Sequence, residues 1–286
     1  MAQGQGETND AICAHLYHNG FLNGLYADCI LRIQSPTAQV DGIAFKLHRI
    51  FAARSPVLLD LLAKNQDEQT PVAVTLPLVD PHLTPAGLGL VLGNLYSTNA
   101  NVILEQEQSP ERSKMLRSVL AASHLLQMYE IGLIATNHIT RDICRENLVD
   151  YCLFVSQDQY GPFGSEIRAT VVDYLTRRAV DQAVLESGLV WSKPDGESYR
   201  MITQLFAQLP FEMLKSVVES LEFDVPNDRI RFSFLQHVVK IRAGKNGKTA
   251  PGAENVLLSF VKDKSGVTLV RKASNPSNRK LWKSVS

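Results

Sequence analysis

At 286 residues, and with roughly 150 residues to a domain, the chain is long enough for about two domains, each with its own hydrophobic core. Apolar residues make up 45% and charged residues 20%, which excludes overall disorder and a disulfide-dense scaffold. Twenty-nine basic residues balance twenty-nine acidic ones, so the net field names no nucleic acid or membrane partner. The charge is unevenly spread, however. Residues 240–286 hold eleven basic and two acidic side chains, leaving 18 basic against 27 acidic in residues 1–239.

Residues 1–9 read as a disordered polar lead with neither the cationic start nor the apolar run of a secretory signal. No stretch approaches the ~18 apolar residues needed to span a bilayer, so no membrane association is expected. Cys13, Cys29, Cys144 and Cys152 are sparse, which fits a reducing compartment, cytoplasm or nucleus.

Asn9 or Asp10 can cap a helix running to about Asn19, with Ile12 and Leu16 on one face. Asp28 to Gln34 is rich in β-branched residues, and Ile43, Phe45 and Leu47 alternate with polar neighbours, so the two segments predict paired strands with one buried face. Arg49 to Arg54 is a helical turn, and Ser55-Pro56 places an N-cap before a proline suited to the first helical position. Val57, Leu58, Leu61 and Leu62 form that helix's apolar stripe.

Val72, Val74 and Leu76 alternate as a third strand. Thr84-Pro85 repeats the capping signal for a helix ending near Ser97, and the polar stretch Thr98 to Ser113 reads as an exposed loop. From Lys114 to Arg242 the period is helical, with stripes such as Leu116-Val119-Leu120-Ser123 and Leu214-Val217-Leu221. Punctuation falls at Gly161-Pro162-Phe163-Gly164, Lys193-Pro194-Asp195-Gly196 and Pro226-Asn227. Apolar runs flank Lys262 to Gly266, predicting a hairpin over 256–270 followed by a basic end. No repeat of 20–50 residues recurs, so kelch and ankyrin arrays are not expected.

Chemistry-bearing patterns are scarce. Gly87, Gly89 and Gly93 lie within a helical stripe already opened by Thr84-Pro85, not in a strand-to-helix turn, and read as small residues that let helices approach, not as a phosphate loop. Cys13, His15 and His18 share a helix, but at about 100° per residue they cannot all face one ion. Neither a Gly-x-Ser-x-Gly elbow, a His-Glu-x-x-His pair nor a Walker loop occurs. No catalytic, cofactor-binding or metal residue is assigned, and no enzymatic activity is expected. A constellation assembled only in space would escape a linear reading.

Asp28-Cys29-Ile30-Leu31, followed by Phe45-Lys46-Leu47-His48-Arg49-Ile50-Phe51-Ala52-Ala53-Arg54-Ser55-Pro56-Val57, resembles the signature of BTB/POZ domains. The likeness continues through Val72 to Leu76, Leu92 to Ser97 and Val119 to Met128. It implies an α+β fold, a small sheet flanked by helices, over residues 10–135.

Residues 136–242 are similar to the all-α BACK domain, carried by Glu146 to Cys152 and Ile167 to Leu175, and residues 243–286 form a basic extension with the hairpin. The arrangement resembles short fungal BTB-BACK proteins and the germ cell-less group. The resemblance implies a protein-binding homodimer that serves as the substrate-recognition subunit of a cullin-3 ubiquitin ligase and carries an unidentified client.

On the same resemblance, Ile12, Leu16, Asp28 and Arg49 fall at the dimer interface, and Leu62, Glu68 and Tyr96 face the cullin. Gln66 stands two before Glu68, where such adaptors place an apolar residue. A charge opening a buried strand is costly unless paired, so Asp28 and Arg49 are expected in contact. An alternative reading is a nuclear or chromatin-associated scaffold using Arg271, Lys272, Arg279 and Lys280 toward an anionic partner such as nucleic acid.

Overall fold

A computed structural model describes residues 11–34, 43–65, 71–77, 79–97, 100–107, 111–157, 159–191, 193–245, 255–260 and 266–272. The chain divides into two compact units, Met1–Asp142 with Asp158–Ile167, and Ile143–Gln157 with Arg168–Ser286. Among the described residues no helix is long and apolar enough to cross a membrane.

The first unit opens with helix α1 over residues 11–22, whose second half, Leu16–Leu22, widens into a π-helix. Strands β1 (Cys29–Gln34), β2 (Ala44–Leu47) and β3 (Val72–Pro77) form a sheet in the order β2-β1-β3. β1 pairs antiparallel with β2 and parallel with β3, so the sheet is mixed. Alternation works as the sequence indicates: Cys29, Leu31 and Ile33 of β1 and Val72, Val74 and Leu76 of β3 are all buried.

Between β2 and β3 lie α2 (Arg49–Ala52) and α3 (Pro56–Lys64). Ser55 caps α3, its Oγ accepting from the Leu58 amide at 3.4 Å while donating to the Leu126 carbonyl at 2.7 Å. One hydroxyl thus starts a helix and ties it to a segment 71 residues away.

Helix α4 (Pro85–Gly93) is capped by Thr84, whose Oγ1 accepts from the Gly87 amide at 3.2 Å. It is apolar all round, and Gly87, Leu88, Val91, Leu92 and Gly93 are buried. Its glycines do serve close approach: a Cβ on Gly87 would stand 2.1 Å from Ser118 Oγ of helix α6 (Arg112–Leu125). Ser118 Oγ in turn accepts from the Thr84 amide at 2.8 Å.

Two sequence expectations change here. The helix opened by Thr84-Pro85 ends at Gly93, not near Ser97. The expected loop at 98–113 contains helix α5 (Ala100–Gln106), because Ala100 and Leu104 find an apolar surface to bury against and Asn94 Oδ1 accepts from the Ala100 amide.

Helix α7 (Tyr129–Asp142) packs on α5 and α6 and carries the unit through the boundary anticipated at 135. Arg112 binds these helices together. Its guanidinium donates to the Leu104 and Glu107 carbonyls and pairs with Asp142 at 3.1 Å, and Ser113 also donates to that carboxylate. His138 lies against the same guanidinium, 3.4 Å from Nη2, with its Nε2 2.9 Å from Asn101 Oδ1. Tyr160 donates to Asp80 at 2.7 Å.

The second unit contains helices α8 (Leu148–Phe154), the later part of α9 (Gly161–Asp173), α10 (Ala179–Ser187), α11 (Glu197–Gln208), α12 (Phe211–Glu219) and α13 (Asp228–Lys245), with a π-helical turn at Tyr174–Arg178. Phe206, Phe223 and Phe234 form its aromatic core at centroid separations of 5.2–6.0 Å. Arg242 Nη1 donates to the Leu209 carbonyl at 2.6 Å, covering the end of α11.

Strands β4 (Asn255–Phe260) and β5 (Val267–Lys272) pair antiparallel, and Glu219 Oε1 accepts from Thr268 Oγ1 and the Leu269 amide at 2.7 and 2.8 Å. The hairpin is longer than 256–270, taking in Arg271 and Lys272 opposite Val256 and Asn255. Gly161 to Gly164, expected as a connector, instead opens α9: Gly161 takes φ +54° and Phe163 is buried. Leu221, placed on an apolar stripe by spacing, lies beyond the end of α12 and is 80% exposed.

Gly87→Ala is expected to lower stability by about 1–3 kcal/mol in urea unfolding, because a methyl group there overpacks Ser118. Burial first, and then the Arg112 charge, hold His138 below its ordinary value of 6.5. The unfolded chain therefore takes up a proton that the folded chain resists, and the stability from neutral His138 is present above 6.5 and is lost as pH falls below it. His138→Gln is expected to flatten the decline in stability between pH of about 7.5 and about 5.5 measured in parallel urea titrations.

Candidate protein-interaction surface

The N-terminal helix rests on an aromatic cluster in the first unit. Tyr17 and Phe21, four residues apart, share one face of α1, and Phe21 meets Tyr96 at a ring separation of 5.3 Å. Phe51 of α2 also packs on Tyr96, at 4.5 Å. Gly93 makes room for them, since a Cβ there would lie 2.8 Å from the Tyr17 ring and 3.1 Å from the Phe21 ring.

At the centre is a buried hydroxyl. The Tyr96 oxygen accepts from the His48 amide at 2.8 Å, and its O–H donates to His48 Nδ1 at 3.1 Å. The assignment follows from the far side of the ring, where Nε2 lies 2.7 Å from the Leu25 carbonyl, an acceptor only, so Nε2 carries the proton. Leu25, His48 and Tyr96 thus form a relay between the loop after α1, the start of α2 and the turn after α4. Burial pushes the Tyr96 phenol up to about 12, so it remains a neutral donor.

With its aromatic face occupied, α1 leaves other apolar groups to solvent. Ile12 is 52% exposed, and Leu22, Leu25, Tyr26 (94%) and Ile50 (77%) are exposed on the helix, the following loop and α2. Tyr26 has φ +61°, an uncommon conformation for an aromatic residue, after Gly24 at +63°. The loop therefore holds a large apolar ring outward at a cost in backbone energy. Such groups on a small domain are suited to cover by another polypeptide.

The sequence-derived residues divide accordingly. Ile12 is exposed and Leu16 half-buried. Asp28 and Arg49 do meet, but through the main chain: Asp28 Oδ1 accepts from the Arg49 amide at 2.8 Å, so the carboxylate binds the first turn of α2 and not the guanidinium. Beside them the Cys29 thiol is buried and pushed up to about 11 by that burial and then by the Asp28 charge, the opposite of a reactive thiolate.

Tyr96 and Leu62, expected to face a cullin, point inward, at 3% and 5% exposure. The tyrosine ring completes the cluster under α1, which leaves no face for a docked protein in this conformation. Glu68, Arg279 and Lys280 lie outside the described residues, and of Arg271 and Lys272 only the backbone is described. Spacing missed Phe21, Phe51 and His48; the Tyr17–Phe21 separation of four is the signal that could have found the first. The helix continues past Asn19 to include Phe21 because the wider turn, with the Asn23 amide bonded to the His18 carbonyl, carries it through Gly20. Among the described residues no group of three His, Cys, Asp or Glu side chains is arranged to hold a metal ion.

A mixed sheet flanked by helices, with apolar side chains displayed outward from α1, the following loop and α2, suits contact with another polypeptide. Residues 17–142 match the family model for the BTB/POZ domain, and the chain carries a BTB/POZ domain over that span. The match ends where the first compact unit's opening segment ends, at Asp142, and begins after Ile12 and Leu16. The chain is also similar to BTB/POZ domain-containing protein 2 of Schizosaccharomyces pombe, 27% identical over 286 residues, covering 96% of this chain and 92% of that protein.

Tyr96→Phe removes the hydroxyl that serves both the His48 amide and Nδ1. The expected cost is about 1–3 kcal/mol in chemical denaturation, with amide exchange at His48 accelerated; an unchanged stability would show that the hydroxyl is not the central tie.

Proposed function

We propose that this chain is a non-enzymatic adaptor that self-associates through its BTB/POZ unit and carries a client protein on its second, BACK-like helical unit. The observation that carries the reading is the exposure of Ile12, Leu22, Leu25, Tyr26 and Ile50 on α1, the loop after it and α2. BTB domains commonly mediate homodimerisation and partner binding, and a two-fold interface uses one self-complementary patch on both copies. Cullin-3 is the ligase partner proposed on the family resemblance alone. With Tyr96 and Leu62 inward, its docking would depend on neighbouring exposed groups, such as Leu59 of α3.

Sedimentation velocity tests the first part. The wild-type chain is expected to be a dimer at micromolar concentration, and Ile12→Asp with Leu22→Asp to weaken it on the order of a hundredfold or more. Each apolar side chain is worth about 1.5–3 kcal/mol, and 1.4 kcal/mol is a factor of ten. Both residues are exposed, so the melting temperature of the monomer should hold. A wild-type chain that stays monomeric would sink self-association, and failure of purified cullin-3 to bind the dimer would remove the ligase role while leaving the adaptor.

A further inference from the structure

At the start of α12 the second unit holds a cavity of about 280 Å³. Phe211 and Met213 form its buried floor, Val172 and Arg168 its half-buried wall, and Ser216 and Glu212 stand exposed at its mouth. The floor is apolar, the Arg168 side chain forms part of the wall, and Glu212 sets a carboxylate at the rim. That combination suits a planar aromatic side chain flanked by lysines.

The same chain supplies such a segment. Arg279-Lys280-Leu281-Trp282-Lys283 holds one of the two tryptophans of the sequence, bracketed by basic residues. It also starts close by: β5 is tied by Thr268 and Leu269 to Glu219, at the last position of the helix whose first turn forms the cavity. From Phe211 to Glu219 that helix is about 12 Å long, at about 1.5 Å per residue. The thirteen residues from Leu269 to Trp282 span up to about 43 Å at about 3.3 Å each, enough even if β5 first leads away. A tether this short holds its end at roughly millimolar effective concentration, so a contact too weak between separate molecules becomes populated.

We propose that Trp282 of the C-terminal segment seats in the cavity at the start of α12, its ring on Phe211 and Met213 and against Arg168, with a flanking lysine at Glu212. The second unit thereby covers its own apolar pocket with its own tail. An intermolecular seat, in which the tail of a second copy fills the pocket, is the competing occupant.

Fluorine NMR of the full chain labelled with 5-fluorotryptophan tests this, because the two resonances, Trp191 and Trp282, can be told apart with Trp282→Phe. The Trp282 resonance is expected away from the free-indole position, protected from a soluble paramagnetic agent, and independent of protein concentration. Ser216→Phe, which fills the mouth from an exposed position, and Glu212→Lys, which reverses the rim charge, should each return it toward the free position, with the thermal melt unchanged. A wild-type Trp282 resonance already at the free position would overturn the proposal, as would one unmoved by Ser216→Phe. A shift that grows with concentration would replace the intrachain seat with the second copy's tail.

Discussion

A phenol without solvent has to find both a donor and an acceptor, and Tyr96 finds both on His48. Because His48 spends its other ring nitrogen on the Leu25 carbonyl, the requirement passes outward to the loop that presents Leu25 and Tyr26. Phe21 and Phe51 pack on the Tyr96 ring, and Tyr17 packs on Phe21. The orientation of α1, and hence which of its apolar groups face solvent, follows from meeting that one buried need. The display of Ile12, Leu22 and Ile50 is the outer consequence of an inner hydrogen bond.

The same economy recurs where helices meet. Ser55 starts α3 and grips Leu126, Thr84 starts α4 and shares Ser118, and Arg112 covers carbonyls at the end of α5 while pairing with Asp142. Each polar side chain satisfies orphan backbone groups at a helix end and also makes a long-range tie. These links fix the first unit around a small three-stranded sheet.

Elements whose signal is local were legible. Ser55-Pro56 and Thr84-Pro85 name their helices because capping and the fixed proline φ act within one turn, and Val72, Val74 and Leu76 name a strand because burial alternates with the pleat. Helix α5 was hidden because Asn, Glu and Gln dominate its exposed side, and only the surface under Ala100 and Leu104 makes it helical. Gly161 to Gly164 looked like a break, yet a left-handed glycine followed by proline also begins a helix when Phe163 has a site to fill. The family resemblance places Tyr96 outward, and its inward partners, His48 at 48 residues' separation and Phe21 further still, leave no mark on spacing that would correct it.

What the sequence by itself determined is the set of structural units: strands, capped helices, the glycines of α4 as points of close approach, the closing hairpin and the resemblance that names the first domain. These depend on interactions within a few residues, or on a pattern of words that survives without coordinates. Only the tertiary structure decided which side each unit shows. Whether an apolar residue is core or surface, as with Leu62, Tyr96, Leu221 and Ile12, depends on partners tens of residues away, and a periodic stripe marks a face without saying what lies against it.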